Sequence, residues 1–324
     1  MTEPAAPTGP IEAFILGRVL ADLYPLQSDT LLEDVRTFER FVGGYGGNVG
    51  IGLARLGVRT AVLSGVGDEG HGRFITKTLA AEGVETRWIV THPTLRTALA
   101  FAELWPPDRF PLVAYRFPSC PDMEIRPADI PWAEVAAAPL VYVSGTTLAQ
   151  DPSRTTAIAI LQARRAAAAS GDGRARTTIL DLDWRPGYWL RPEDYPTWIR
   201  AATGLAGTII GSESEFAAAE LTVEDALAAG VERIYLKRGP DGAAMVTREG
   251  RLDVAGARVP VVNGLGAGDA FAAAAGWAML RGETPERQLH LGNAAGAIVA
   301  SRLACSAAMP FADEVIAQAD RVTG

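Results

Sequence analysis

Short runs of apolar and β-branched residues alternate with helix-forming stretches along this chain, and that rhythm restricts what it can fold into. Ala13-Phe14-Ile15-Leu16, Thr60-Ala61-Val62-Leu63-Ser64, Leu140-Val141-Tyr142-Val143-Ser144-Gly145, Thr178-Ile179-Leu180-Asp181-Leu182-Asp183, Thr208-Ile209-Ile210-Gly211 and Arg233-Ile234-Tyr235-Leu236-Lys237 read as buried strands. Helical stretches stand between many of them. One runs from Ser153 to Ala169, with Arg164 and Arg165 near its end, where they suit the dipole, and with Gly171-Asp172-Gly173 as its break. Strands joined by helical crossovers pair in parallel and are covered on both faces. The expectation is an α/β fold, a doubly wound and mostly parallel sheet with helices on both faces. No repeat or low-complexity linker divides the 324 residues, so 1–324 reads as a single domain, with 1–10 a flexible leader. Between Glu85 and Pro118 the runs Thr97–Leu104 and Leu112–Tyr115 follow one another with no helix between them, which predicts a small β lid.

Within this frame the stretch Val261-Val262-Asn263-Gly264-Leu265-Gly266-Ala267-Gly268-Asp269-Ala270-Phe271 reads as strand, glycine loop and helix N-terminus. Unpaired N–H groups in a first helical turn, approached through glycines, can hold an anion. Asp269 is either the cap of that helix or a carboxylate that works on a proton or a metal, because a negative side chain beside a bound phosphate needs such a task. A second glycine stretch, Gly43-Gly44-Tyr45-Gly46-Gly47-Asn48, opens another helix that stops at Gly57; Asn48 caps it or offers its amide to a polyol. Asp22 stands in apolar surroundings as a candidate for hydroxyl recognition. Gly65-Val66-Gly67-Asp68-Glu69-Gly70 matches G-x-G-x-x-G, yet Asp68 and Glu69 would repel a pyrophosphate, which leaves a tight strand-to-helix turn.

The net charge of −8 argues against a nucleic-acid surface, so any phosphate must be met locally. Lys77 and Lys237 are the only lysines and neither lies in a P-loop sequence. Two distant cysteines, Cys120 and Cys305, and no membrane-length apolar run suggest a cytoplasmic protein with no membrane partner.

Gly266-Ala267-Gly268-Asp269, the glycine loop ending at Asn48 and the Asn-Ala-Ala-Gly run at Asn293 together resemble the ribokinase (PfkB) family of carbohydrate kinases, from about Phe14 to Pro310. Within it, Leu23-Tyr24-Pro25, Asp181-Leu182-Asp183-Trp184-Arg185-Pro186 and the run from Val262-Asn263-Gly264-Leu265 through Ala304-Cys305 are most similar to the 5-dehydro-2-deoxygluconokinase branch of myo-inositol breakdown. The resemblance implies a ribokinase-like fold whose lid is built from about 21–43 and 86–118, and transfer of the γ-phosphoryl group of ATP to a sugar or sugar-acid hydroxyl. It implies that Asp269 accepts the hydroxyl proton beside an anion hole at Gly266, Ala267 and Gly268. Asp22, Gly43, Gly44, Asn48, Asp183 and Arg185 would hold substrate, and Arg96 and Arg116 would reach a carboxylate from the lid. Ser212, Lys237, Gly239, Gly242, Gly264 and Asn293 would line the nucleotide groove. Mg²⁺ would have Glu215 in its outer shell, and K⁺ would lie among backbone carbonyls of Asn263, Leu265, Ala300 and Leu303. A homodimer formed through the lid is also implied. Ser212 replaces an Asn common in the family, Asn263 replaces an Asp, and the lid has Ser119 and Cys120 where the branch carries Lys-Ala. The missing lysine makes a neutral sugar the alternative substrate, and the changes at Ser212 and in the lid allow a non-catalytic sensor.

Overall fold

Burial with a period of two divides each central strand between two cores. A computed structural model describes residues 9–170 and 176–323; residues 1–8 of the expected leader and the expected break at Gly171-Asp172-Gly173 lie outside them. The strands among the described residues are β1 (Ala13–Leu16), β2 (Leu20–Pro25), β3 (Phe38–Gly43), β4 (Thr60–Gly67), β5 (Ile89–His92), β6 (Leu99–Ala102), β7 (Leu112–Tyr115), β8 (Leu140–Ser144), β9 (Thr177–Asp181), β10 (Thr208–Ser212), β11 (Arg233–Lys237), β12 (Ala243–Thr247) and β13 (Gly250–Val254). Ile15, Val62, Tyr142, Ile179, Ile210 and Tyr235 enter one core with the helices Tyr45–Arg55, Ala267–Leu280 and Pro285–Ala300. Phe14, Leu63, Val141, Leu180, Ile209 and Ile234 enter the other with Ser153–Ala169 and Tyr195–Thr203. A one-residue slip would exchange the two sets, so the pattern fixes the register.

The main sheet has the order β13-β12-β11-β10-β9-β8-β1-β4-β5 and is parallel from β11 to β5. The doubly wound expectation holds, and the order reverses between β1 and β8, so the strand C-termini there open a crevice for ligands. A second sheet, β3-β2-β6-β7, forms the lid. Its second segment is shorter than expected: β5 pairs in parallel with Ser64–Gly67, which places Ile89–His92 at the edge of the main sheet.

Three local expectations change. Val261-Val262 is not a strand; the N–H groups of Val262 and Asn263 both donate to Ala300 O, at 2.8 and 3.2 Å, which ties the segment to a helix C-terminus instead of a sheet. The glycines after Gly44 lie inside the helix Tyr45–Arg55, not ahead of it. Close packing explains them: a Cβ on Gly46 would come within 2.7 Å of Gly17 O, and one on Gly52 within 2.9 Å of Ala273 Cβ. Arg164 likewise does not face solvent at its own helix end. It is buried, and its guanidinium donates to the carbonyls of Val135, Ala136 and Ala138, at the C-terminal end of the neighbouring helix Trp132–Ala137.

Candidate active site

Gly266 takes φ 81° and leads into the helix Ala267–Leu280. Ahead of the first helical bond, from Ala270 N–H to Gly266 O at 2.9 Å, Ala267 N–H makes only a long contact to Gly264 O at 3.5 Å, so this helix N-terminus is oriented for an external acceptor. Gly266, Ala267 and Gly268 line a cavity of about 1320 Å³. The Lys237 ammonium closes on the same turn, 3.2 Å from where a Gly268 Cβ would stand. Helix dipole and ammonium thus converge on one point.

Asp269 is not the cap of this helix. It lies in the first turn, buried, and its Oδ2 accepts from Asn48 Nδ2 at 2.7 Å. Burial and the charge of Asp183 push its carboxyl above the ordinary range, against the Asn48 donor and the nearby arginines. Asn48 is equally not a cap; it sits within the first turn of its helix, and its buried Oδ1 has no partner among the described residues. Gly43 and Gly44 let the neighbouring chain approach: a Cβ on Gly43 would lie 2.1 Å from Asp22 Oδ2, and one on Gly44, at φ 83°, would lie 2.5 Å from Arg18 O. Asp22 is buried on β2, and burial raises its carboxyl to about 7 despite Tyr24 and Arg18.

At the C-terminal ends of β1 and β9 stands a residue that sequence reasoning missed. Arg18 is buried and forms an ion pair with Asp183, whose carboxylate also accepts from Ser144 Oγ at 2.6 Å and Thr146 Oγ1 at 3.2 Å. Burial alone would raise the Asp183 carboxyl, but Arg18, Arg185 and these hydrogen bonds bring it below the usual value. The available signal was an arginine one glycine beyond the buried strand Ala13–Leu16, where a ligand crevice is expected. Arg185 lines the cavity, with Nε 3.8 Å from Asp183 Oδ1. Lys237 Nζ lies 3.4 Å from Glu215 Oε2 and 3.6 Å from Asp181 Oδ1. Burial raises Asp181 to about 8 against the pull of Lys237, and Asp181 and Glu215 together hold the ammonium.

The remaining expected residues divide into two groups. Gly239, Gly242, Gly264, Leu265, Asn293 and Ala300 line the cavity. Ser212 does not. Its hydroxyl accepts from Glu215 N–H at 3.2 Å while Glu215 Oε2 accepts from Ser212 N–H at 2.7 Å, a reciprocal cap, and Ser214 faces the cavity instead. Arg116 cannot reach a substrate carboxylate in this arrangement: buried, it gives Nε and Nη2 to Asp122 Oδ2, at 3.0 and 2.6 Å, and Nη1 to Tyr188 O at 3.0 Å. Arg96 is exposed, with its backbone beside Gly67 and away from the cavity. The Gly65, Gly67 and Gly70 motif is no dinucleotide loop, since Gly65 and Gly67 lie within β4 and the carboxylate of Glu69 accepts from His71 and Gly72 N–H, at 2.7 and 3.1 Å, where a phosphate would need them.

Two of the four carbonyls named for K⁺, those of Ala300 and Leu303, already accept hydrogen bonds. Ala300 O takes the two amides described above, and Asn263 Nδ2 donates to Leu303 O at 2.7 Å while its Oδ1 accepts from Leu265 N–H at 3.0 Å. An uncharged amide thus ties the loop together between Leu265 and Leu303. Among the described residues no group of three or more His, Cys, Asp or Glu could hold a metal, so Mg²⁺ would depend on oxygens brought by a nucleotide.

An anion site at a helix N-terminus, a buried carboxylate one turn into that helix and a lid over polar groups define an α/β phosphotransferase for a small polar molecule. The chain belongs to the pfkB family of carbohydrate kinases, whose profile matches residues 11–312. It is 32% identical over 318 residues to a 5-dehydro-2-deoxygluconokinase of Listeria innocua, covering 94% of this chain and 95% of that one. A similar enzyme of Shouchella clausii is 29% identical over 314 residues, 94% of each chain. The crystal structure of an uncharacterized sugar kinase from Pyrococcus horikoshii in complex with ATP superposes with a TM-score of 0.80 at 26% identity, covering 96% of this chain and 99% of that one.

Proposed function

We propose that this carbohydrate kinase transfers the γ-phosphoryl group of ATP to a hydroxyl of 5-dehydro-2-deoxy-D-gluconate, a step of myo-inositol degradation in the cytoplasm. The observation that carries the chemistry is the pair Asn48–Asp269, held at 2.7 Å in the N-terminal turn that follows Gly266. Asp269 accepts the proton of the attacking hydroxyl as the oxygen–phosphorus bond forms and the bond to ADP breaks. The helix amides and Lys237 meet the charge that spreads over the transferred group. Asn48 favours the ionised form of Asp269 and offers Oδ1 to the sugar. Asp22, beside Gly43 and Gly44, accepts from sugar hydroxyls, while Asp183 holds Arg18 and Arg185 toward the crevice. Gly239, Gly242, Gly264 and Asn293 form the nucleotide groove. Mg²⁺ supplies charge neutralisation along the phosphates, with Glu215 acting through water. Two copies pair through the lid, a reading supported by the ladder Phe38–Phe101–Tyr115, whose outer member is 61% exposed.

A neutral sugar is the second reading, favoured by one observation: Arg116 is consumed by Asp122 and Tyr188, and Arg96 lies away from the cavity. A coupled ADP-release assay with 5-dehydro-2-deoxygluconate, 2-keto-3-deoxygluconate, fructose and ribose separates the readings. Highest kcat/KM with the first sugar acid supports the proposal; preference for fructose or ribose replaces it with the neutral reading. Tight ATP binding without turnover of any sugar would identify a sensor.

A further inference from the structure

Beyond the helix Pro285–Ala300 the chain makes a short bridge that touches the lid on one side and the anion loop on the other. Cys305 is 3% exposed, and its Cβ stands 2.9 Å from where a Gly266 Cβ would be. Its Sγ lies 2.5 Å from Tyr24 Oη, and that hydroxyl lies 3.2 Å from Asp22 Oδ2. Tyr24 is itself 1% exposed, packed with Ala102 of β6 and Leu112 of β7. Ser306 Oγ donates to Val42 O of β3, and Leu303 O accepts from Asn263 of the anion loop. Leu303, Cys305 and Ser306 therefore join two lid strands, β2 and β3, to both ends of the glycine loop, although none of Tyr24, Cys305 or Ser306 lines the cavity.

We propose that Tyr24 and Cys305 are positioning residues which couple the seating of sugar against Asp22 to the alignment of the Gly266–Asp269 turn. A hydroxyl flanked by Sγ and a carboxylate passes one hydrogen-bonded order along the line: Tyr24 donates to Asp22, and Cys305 sits at the far side of the same hydroxyl while packing on Gly266. Displacement of β2 moves the sulfur, and through it the Cys305 backbone packed against Gly266, because close-packed contacts transmit displacement. The inference rests on the kinase reading of Asp22 and Gly266.

Tyr24→Phe, Cys305→Ala and Cys305→Ser in the full chain test it. Loss of about one hydrogen bond or its packing partner should lower kcat roughly tenfold, with KM for ATP changed less than about twofold, and Cys305→Ser should recover most of the loss. The groups facing Asp22 are Tyr24, Arg18, Tyr188, Cys305 and Asp269. Of these Tyr24 and Arg18 favour its ionised form, so Tyr24→Phe should also move the acid limb of kcat/KM to higher pH. A readout that needs no turnover is amide hydrogen exchange at Gly268 and Asp269, which should quicken in Tyr24→Phe and Cys305→Ala. Exchange there equal to wild type overturns the coupling whichever sugar is the substrate. Absence of turnover in the wild type, with quickened exchange in the variants, would count against the sugar assignment and leave the coupling standing.

Discussion

Replacing Asn48 with Leu removes the electrostatic support of Asp269 together with the sugar contact at Oδ1, and the pH profile separates the two. The side chains are similar in volume, while the donor 2.7 Å from Asp269 Oδ2 disappears. Asp269 is buried, and its carboxyl is already raised by burial first and by Asp183 second. A hydrogen bond to a charged acceptor contributes about 1.5–3 kcal/mol, which corresponds to roughly 10- to 150-fold in rate if it is lost from the reacting form. The sign follows from the chemistry. The base must be ionised to accept a proton, Asn48 favours that form, and its removal raises the pKa further. Activity at neutral pH should fall by that factor, and the acid limb of kcat/KM should move to higher pH, so that part of the loss is recovered in alkaline buffer. The assay is ADP release measured between pH 6 and 9.5. A uniform loss with an unmoved acid limb would refute the electrostatic role and leave Asn48 as a substrate contact alone.

Asp22→Asn should flatten the dependence of Tm on pH. The folded Asp22 carboxyl is raised from 3.8 to about 7 by burial, so the native state holds a proton that the unfolded chain releases. This contribution makes stability fall as pH rises from about 4 to 7. Calorimetry at pH 4.5 and 8 should show the variant gaining on wild type at the higher pH, and an equal difference at both would contradict the assignment. Lys237→Met removes the ammonium held by Glu215 and placed against Gly268. Loss of one preorganised charge from a phosphoryl site costs about 10² to 10³ in kcat, and a variant within threefold of wild type would place the lysine outside the reaction.

Much of the main sheet was legible because each central strand is buried on both faces and therefore reads as an apolar run, as at Val141-Tyr142-Val143. The hairpin β12–β13 was not, because Ala243-Ala244-Met245 has weak β character and its solvent-side residues break the run. The anion turn was visible as alternate glycines ending in Asp269. The cap reading was removed only by the place of Asp269 inside the first turn and by its partner Asn48, 221 positions away in sequence. Arg116 shows the converse: a lid arginine looks free until Asp122, six residues on, folds back upon it. Arg18 and the bridge at Cys305 depend on tertiary neighbours that no local pattern displays, since an arginine after a strand and a cysteine in a loop are compatible with many roles.

The central claim is that Asp269 takes the proton of the attacking hydroxyl. Asp269→Asn preserves shape and burial while removing the basic oxygen. Steady-state turnover at saturating ATP and sugar, with binding of each measured separately, tests it most directly. The expected result is a fall in kcat of about 10² to 10⁴ with both ligands still bound, and turnover close to wild type would contradict the account.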